Sequence, residues 1–403
     1  MEPEKSIGII AEFDPFHRGH LHLFTQVKAA LPDAALVCVM SGPFTQRGGA
    51  AVLSKHKRAE MALRCGADLV VELPVQWAVS SAEMFAQGGV ELLHALGVTH
   101  LAFGSEEGDL SALQQVAWAL EQPAFSAALR PYLQQGLSFA AARQKALEEL
   151  VGQEAAACLT RPNNLLGIEY LRALGRVAPE LQPMTIQRVG AAHNAAGVWE
   201  GFTSASQIRQ WLQEGKIHKA CGQTPFPASR VLWEQWQERR CPASLEQNTR
   251  GILTVLRQMT PEQWRQLPDC GEGLEHRLYR AAQESGTLPQ LWDTVKSKRY
   301  AHARIRRLTL WGYLGLTQKQ RWDSGVPYLR VLGLNRRGQA LLKQAKQREL
   351  LPILTKPAQV KRWDARCQAQ FAIDARAQML WELCLPELTA AASEWRSGPV
   401  VEM

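Results

Sequence analysis

Four short runs of continuous apolar residues, each followed by an amphipathic stretch, constrain the front of this chain most. They are SIGIIAEF (6–13), ALVCVM (35–40), DLVVELP (68–74) and THLAFGSE (99–106). Strands that are apolar without alternation are buried on both faces, as in a parallel sheet covered by helices. Helical patterns over 19–31, 54–65 and 81–96 fill the gaps, so βαβ units and a Rossmann-like parallel sheet are predicted. The stretch 109–175 reads as mostly helical, PMTIQRVG (183–190) as a further strand and SASQIRQWLQEG (204–215) as a helix. Beyond residue 216 the strand signals fade. Helices are expected over 244–258, 261–267, 274–285 and 287–313, with CGQTPFPASR (221–230) as a Pro-rich connector. The expected organisation is an α/β domain over 1–215 followed by a mostly α-helical domain over 216–403.

The chain has 403 residues, enough for two cores, and its 46% hydrophobic and 21% charged residues exclude general disorder. No apolar run approaches the roughly 18 residues that suggest a membrane span. The opening MEPEKS does not read as a secretory leader. None of the eight cysteines forms a CxxC pair, which argues against a thiolate zinc site and for buried, reduced thiols. A cytoplasmic location is expected. Charge is uneven: residues 1–215 hold 16 Lys and Arg against 21 Asp and Glu, and residues 216–403 hold 30 against 17. A basic back half behind a mildly acidic front half suggests a polyanionic partner such as nucleic acid.

FDPFHRGH (13–20) follows the first strand and opens a helix. Amides at a helix N-terminus favour anions, and ligands of open parallel sheets bind beyond the strand C-termini. Gly19 allows close approach of a phosphate. His17 and His20, three residues apart, can address the same phosphates, and as imidazolium groups they would stabilise charge on a pentacoordinate phosphorus. SASQIR (204–209) repeats the logic. Ser204 and Ser206 form a hydroxyl-bearing turn before a helix, and Arg209 is a fixed cation one turn inside. Alone, SASQIR could equally be a simple helix cap with Arg209 solvated; together the two motifs offer phosphate-binding groups at two helix starts.

HxGH after a first strand resembles the nucleotidyltransferases and class I aminoacyl-tRNA synthetases. Longer stretches narrow the likeness: MSGPFTQRGGAAVLSKHKRAEMAL (40–63), DLVVELPVQWAVSSAEMFAQGGVELL (68–93), LAFGSE (101–106), RPNNLLGIEYLRAL (161–174), IQRVGAAHN (186–194), RIRRLTLWGYLGL (304–316), YLRVLGLNRRGQALL (328–342) and FAIDARAQMLW (371–381). Over almost its whole length the chain resembles the bacterial tRNA(Met) cytidine acetate ligase family. The resemblance implies a nucleotidyltransferase domain that makes acetyl-adenylate and pyrophosphate from ATP and acetate, with Mg²⁺ on the nucleotide. It also implies a basic domain for elongator tRNA(Met), whose wobble cytidine N4 takes the acetyl group. No membrane is involved.

The resemblance implies that Ile10, Ala11, Glu12, Phe13, Asp14, Pro15, Phe16, His17, Arg18, Gly19, His20, Leu21, His22 and Leu23 surround ATP. Gly104 would lie against the nucleotide, and Asn163 and Arg188 would contact it. His17, His20 and Arg209 would be catalytic. Arg47, Lys55, Lys57 and Arg58 form a basic group that either meets pyrophosphate or tRNA or is a solvated helix face. In the back half, Lys296, Lys298, Arg299, Arg304, Arg306 and Arg307 offer a tRNA surface, with Tyr300 placed to stack on a base. Arg336–Arg337 and Lys361–Arg362–Trp363 add to it. The sequence departs from the family at Asp14, where Asn is usual, at RGGAA (47–51) for RGEPA, and at AHN (192–194) for a YHD-like ending. Two rival readings are an adenylyltransferase acting on a small phosphate-bearing metabolite and a non-catalytic RNA-binding protein.

Overall fold

The computed structural model describes residues 5–188, 201–320, 325–391 and 393–402. The AHN segment lies outside them. Five parallel strands form the body of one sheet: β1 (Ser6–Ala11), β2 (Ala35–Ser41), β3 (Leu69–Leu73), β4 (His100–Ser105) and β5 (Gln182–Gln187). Their order is β5-β4-β1-β2-β3. Every residue of β2 and β3 is buried, which the unbroken apolar runs require. Helix α1 (Arg18–Ala30) and helix α2 (Lys55–Arg64) return the chain between the first three strands.

The register of β1 sets the position of the site. β1 pairs with β2 at every residue from Ser6 to Ala11, but with β4 only at Ile7 and Gly8. Beyond Gly8 the two strands part. Here the strand order also reverses, since β2 and β3 lie on one side of β1 and β4 and β5 on the other. The resulting crevice at the carboxyl ends is the place where doubly wound sheets bind ligands.

The sheet does not stop at residue 215. β6 (Leu329–Leu334) lies antiparallel against β3, and β7 (Ile353–Leu354) and β8 (Val400–Val401) flank β6. The expected boundary at 215/216 is therefore crossed by three strands of the back half. That half is otherwise helical, with its own core around Trp264, Leu278, Leu291 and Trp311. Two local readings differ from the structure. The connector 221–230 is divided between helices Ile217–Gly222 and Phe226–Gln237, because Pro227 fits a first helical turn. The single helix expected over 287–313 is two, Leu288–Val295 and His302–Tyr313. All eight cysteines are unpaired, and six are buried. Among the described residues no helix is long and apolar enough to cross a membrane.

Candidate active site

The turn from β1 into α1 stands on a small aromatic core. Phe13 lies 5.1 Å from Phe16 and 5.9 Å from Phe24, ring centre to ring centre, and the His20 ring meets Phe13 edge-on at 5.0 Å. His17 caps α1: its Nδ1 accepts the Gly19 amide at 3.0 Å. His20 Nδ1 in turn accepts the His17 amide at 3.2 Å. With both Nδ1 atoms accepting, the proton of each neutral ring sits on Nε2. The rings stack at 3.9 Å, tilted by 30°. The close approach made possible by Gly19 is to the His17 ring, because a Cβ there would lie 2.8 Å from His17 Cε1.

The imidazolium pair expected from sequence is not what this environment favours. Burial, then Arg188 and Arg209, push the His17 pKa down to about 3. Burial, His17 and Arg188 hold His20 well below its ordinary value. The pair therefore offers two neutral Nε2–H donors, and an incoming polyanion would raise both pKa values.

Arg209 reaches this turn from helix Ala205–Gln213. Its Nη1 donates to the Asp14 carbonyl at 2.8 Å and lies 3.5 Å from Asp14 Oδ2, while Nη2 donates to Ser206 Oγ at 3.1 Å. Ser204 caps the helix by accepting the Gln207 amide. Thus Ser206 orients Arg209 and Ser204 holds the helix start. Arg188 extends from β5, where its amide donates to Ser105 O at 2.9 Å. Gly104 makes room for it: a Cβ there would stand 3.2 Å from Arg188 Cγ. Asn163 is engaged by Glu106, whose Oε1 accepts its amide at 3.1 Å and its Nδ2 at 2.5 Å. Asn164 returns the contact by accepting the Glu106 and Glu107 amides at 2.8 and 3.1 Å. The sequence alone does not point to Glu106. Its signal is a carboxylate just past a strand end, which fits it to cap a helix start.

On the other side of the turn, Glu12 Oε1 accepts the Gln46 amide at 2.7 Å. Asp14 Oδ1 accepts the Val52 amide at 2.7 Å, so this Asp ties the turn to the loop after β2. The basic group 47–58 separates. Lys55 is 0% exposed between Glu72 and Glu394, at 2.7 and 2.8 Å. Arg58 is buried and donates to the carbonyls of Glu12 (2.6 Å), Ser41 (3.1 Å), Leu53 (3.1 Å) and Gly42. Lys57 pairs with Glu60. Neither Lys55 nor Arg58 is available to pyrophosphate or tRNA. Arg47 alone of the four stays exposed at the site, and among the described residues it has no hydrogen-bond partner.

A crevice with two imidazole donors on one wall and Arg188 and Arg209 beside them suits a triphosphate. The family model described as HIGH Nucleotidyl Transferase matches residues 4–394. The tRNA(Met) cytidine acetate ligase of Caldanaerobacter subterraneus subsp. tengcongensis is 40% identical over 363 residues, 89% of this chain and 90% of that protein. That of Acetivibrio thermocellus is 34% identical, covering 98% of this chain and all of that one. The crystal structure of apo Thermotoga maritima TmcAL superposes with a TM-score of 0.94 at 30% identity, covering 98% of this chain and 99% of that one. TmcAL bound with alpha-thio ATP superposes with a TM-score of 0.92 at 30% identity, with the same coverage. The chain belongs to the tRNA(Met) cytidine acetate ligase family.

In this family member the basic tract lies directly behind the site. Arg307 Nη1 donates to Gln46 O at 3.3 Å, and the Arg306 guanidinium lies 4.6 Å above the Trp292 ring. Lys296 and Lys298 are exposed, whereas Arg299 is paired with Glu272 and Arg304 bonds Asp269 O. Tyr300 is only 5% exposed beneath Arg277, Arg299 and Arg304. It is therefore a support for the cations, and the expected stacking on a base does not fit its position. The RGGAA departure has a structural setting: Ala51 is buried, and its carbonyl accepts Trp381 Nε1 at 2.8 Å.

Proposed function

We propose that this chain is an ATP-dependent ligase that acetylates N4 of the wobble cytidine of elongator tRNA(Met). The observation that carries the reading is the pair of Nε2–H donors set among Arg188 and Arg209 at the mouth of the β1/β4 crevice. Acetate attacks the α-phosphorus of ATP in line, and pyrophosphate leaves. His17 and His20 donate to oxygens whose charge grows in the transition state, and Arg209 and Arg188 hold the phosphates. The mixed anhydride carries the acetyl group, so the reaction needs no covalent nucleophile from the protein. Among the described residues no three His, Cys, Asp or Glu side chains form a metal cage. Mg²⁺ bound to the nucleotide phosphates would supply charge neutralisation there.

The catalytic role belongs to 1–215 and tRNA binding to the basic 216–403, whose strands β6–β8 anchor it to the catalytic sheet. A tRNA substrate accords with a cytoplasmic location. An adenylyltransferase acting on a small metabolite would leave the excess of 30 Lys and Arg over 17 Asp and Glu in the back half without a purpose. The test supplies labelled acetate and ATP with and without tRNA. Label on N4-acetylcytidine in tRNA is expected, and its absence, with label on a small phosphate ester instead, would decide for the adenylyltransferase.

A further inference from the structure

The site has two sides that meet at Arg209. His17 and His20 both feel the charge of Arg188, whereas Glu12 feels Asp14, Arg209 and Arg47. Arg47 in turn feels Arg306, and Arg306 feels Arg209. The His17, His20 and Arg188 side is the triphosphate side in the reading above. The Glu12 and Arg47 side meets the basic helix His302–Tyr313, which carries Arg306 and Arg307. One residue joins them: Gln46 donates its amide to Glu12 Oε1 at 2.7 Å and accepts Arg307 Nη1 on its carbonyl at 3.3 Å. Gln46 thus sets Glu12 next to the helix on which the ligase reading seats the RNA.

Glu12 is held as a base should be. Its Oε1 is fixed by Gln46, and its main-chain carbonyl by Arg58 at 2.6 Å. Among the described residues Oε2 has no hydrogen-bond partner, and the side chain is only half-buried. One carboxylate oxygen is anchored, and the other is left to accept a proton.

The two chemical steps differ in what they need. Acetate is already ionised, so forming acetyl-adenylate releases no proton. The exocyclic N4 of cytosine is a weak nucleophile, because its lone pair is delocalised into the ring, and attack leaves a proton to be removed. We propose that Glu12 is the general base of acyl transfer, taking the N4 proton on its free oxygen as N4 attacks the acetyl carbonyl. The N4 lone pair forms the C–N bond. The tetrahedral intermediate collapses, and the bond from the acyl carbon to the phosphate oxygen breaks, its electron pair leaving on AMP. The proton passes from Glu12 to solvent. This rests on the ligase reading.

Electrostatics support the role. Burial, with Asp14 adding to it, raises the Glu12 pKa above the ordinary carboxylate value against the opposing pull of the Gln46 amide, Arg209 and Arg47. Arg58 of α2 and Tyr170 of helix Pro162–Val177 also face it. A raised pKa makes the ionised form a better proton acceptor near neutrality.

The test uses the full chain with Glu12→Gln and Glu12→Asp. Gln keeps an acceptor for the Gln46 amide and nearly the same shape. Acetate-dependent ATP–pyrophosphate exchange reads adenylation, and single-turnover transfer of labelled acetyl from bound acetyl-adenylate to tRNA reads the second step. For E12Q the loss in transfer is expected to exceed the loss in exchange by about 10²-fold or more. The transfer rate is expected to rise with pH in wild type, and that rise should vanish in E12Q and persist, at a lower level, in E12D. Equal losses in both steps would overturn the proposal, as would recovery of E12Q at high Mg²⁺, which would make Glu12 a ligand of the nucleotide's metal. Should E12Q not fold, as judged by circular dichroism, the same ratio read on E12D decides. A wild-type protein that forms no acetyl-adenylate would overturn the ligase reading and the base role with it.

Discussion

The Arg209 guanidinium donates to the main-chain carbonyl of Asp14 at 2.8 Å, joining two segments 195 residues apart. A second branch of the same group bonds Ser206 Oγ at 3.1 Å. A planar fork can serve both acceptors and still face the crevice, whereas an ammonium cannot. Arg209→Lys should lower kcat/KM for ATP–pyrophosphate exchange by about 10²-fold, a loss of about 2.7 kcal/mol of transition-state stabilisation. The urea midpoint should hardly change, since the side chain is partly exposed. Exchange at the wild-type rate in R209K would remove Arg209 from the phosphate site.

The stacked imidazoles make stability depend on pH. An unfolded His titrates near its ordinary value of 6.5, and His17 titrates at about 3 in the fold. Between those values the unfolded chain binds the extra proton, so this contribution is complete above about pH 6.5 and is lost as pH falls. His56, also pushed down to about 3 by burial and Lys55, adds in the same direction. Each ring contributes a slope of up to about 1.4 kcal/mol per pH unit. His17→Gln should flatten the pH dependence of urea unfolding between pH 6.5 and 4. ATP should flatten it in wild type, because bound phosphates favour the protonated rings. A wild-type slope in H17Q would show that His17 is charged in the fold.

The front strands were legible because burial on both faces leaves a local signature, a run of apolar residues without alternation. The same physics explains why the two motifs read as partners: each is a helix start bearing polar groups, and Arg209 does reach Asp14. What stayed hidden depends on distant pairing. β6 is the single run LRVLGL inside helical sequence, and its partner β3 lies more than 250 residues earlier. The Asn163–Glu106 contact was hidden because Glu106 comes from another strand-to-helix turn. Tyr300 read as a stacking platform because the tract looked like one exposed helix. The break before His302 instead turns the ring beneath three arginines.

Lys55 carries the same lesson into stability. A lysine at the start of a helix reads as solvated, yet this one meets Glu394, more than 300 residues away, and Arg330 meets the same carboxylate at 3.2 Å. All three side chains are buried. Removing one member of a buried ionic cluster leaves the others uncompensated, at a cost of about 3–5 kcal/mol. Glu394→Gln should lower unfolding free energy by that order in urea titration. A change below about 0.5 kcal/mol would show that the cluster is solvated in solution.

The basic tract divides into cations held by protein and cations left for a partner. Arg299 and Arg304 are engaged with Glu272 and Asp269, and Tyr300 lies beneath them, whereas Lys296 and Lys298 are exposed. Exposed lysines that neutralise phosphates release counterions, so removing such a lysine weakens binding across sequences and makes it less salt-dependent. Replacing Lys296 and Lys298 together with Ala should weaken tRNA binding several-fold in filter binding at about 0.1 M salt. The slope of log Kd against log salt should fall by about one unit for each phosphate that a lysine had neutralised. Tyr300→Phe keeps the buried ring and should bind tRNA within about twofold of wild type, since the hydroxyl it removes faces the Glu272 carbonyl at 3.5 Å. A tenfold weakening in Y300F with an unchanged salt slope would place the tyrosine hydroxyl on the RNA and require the 296–301 turn to open when tRNA binds.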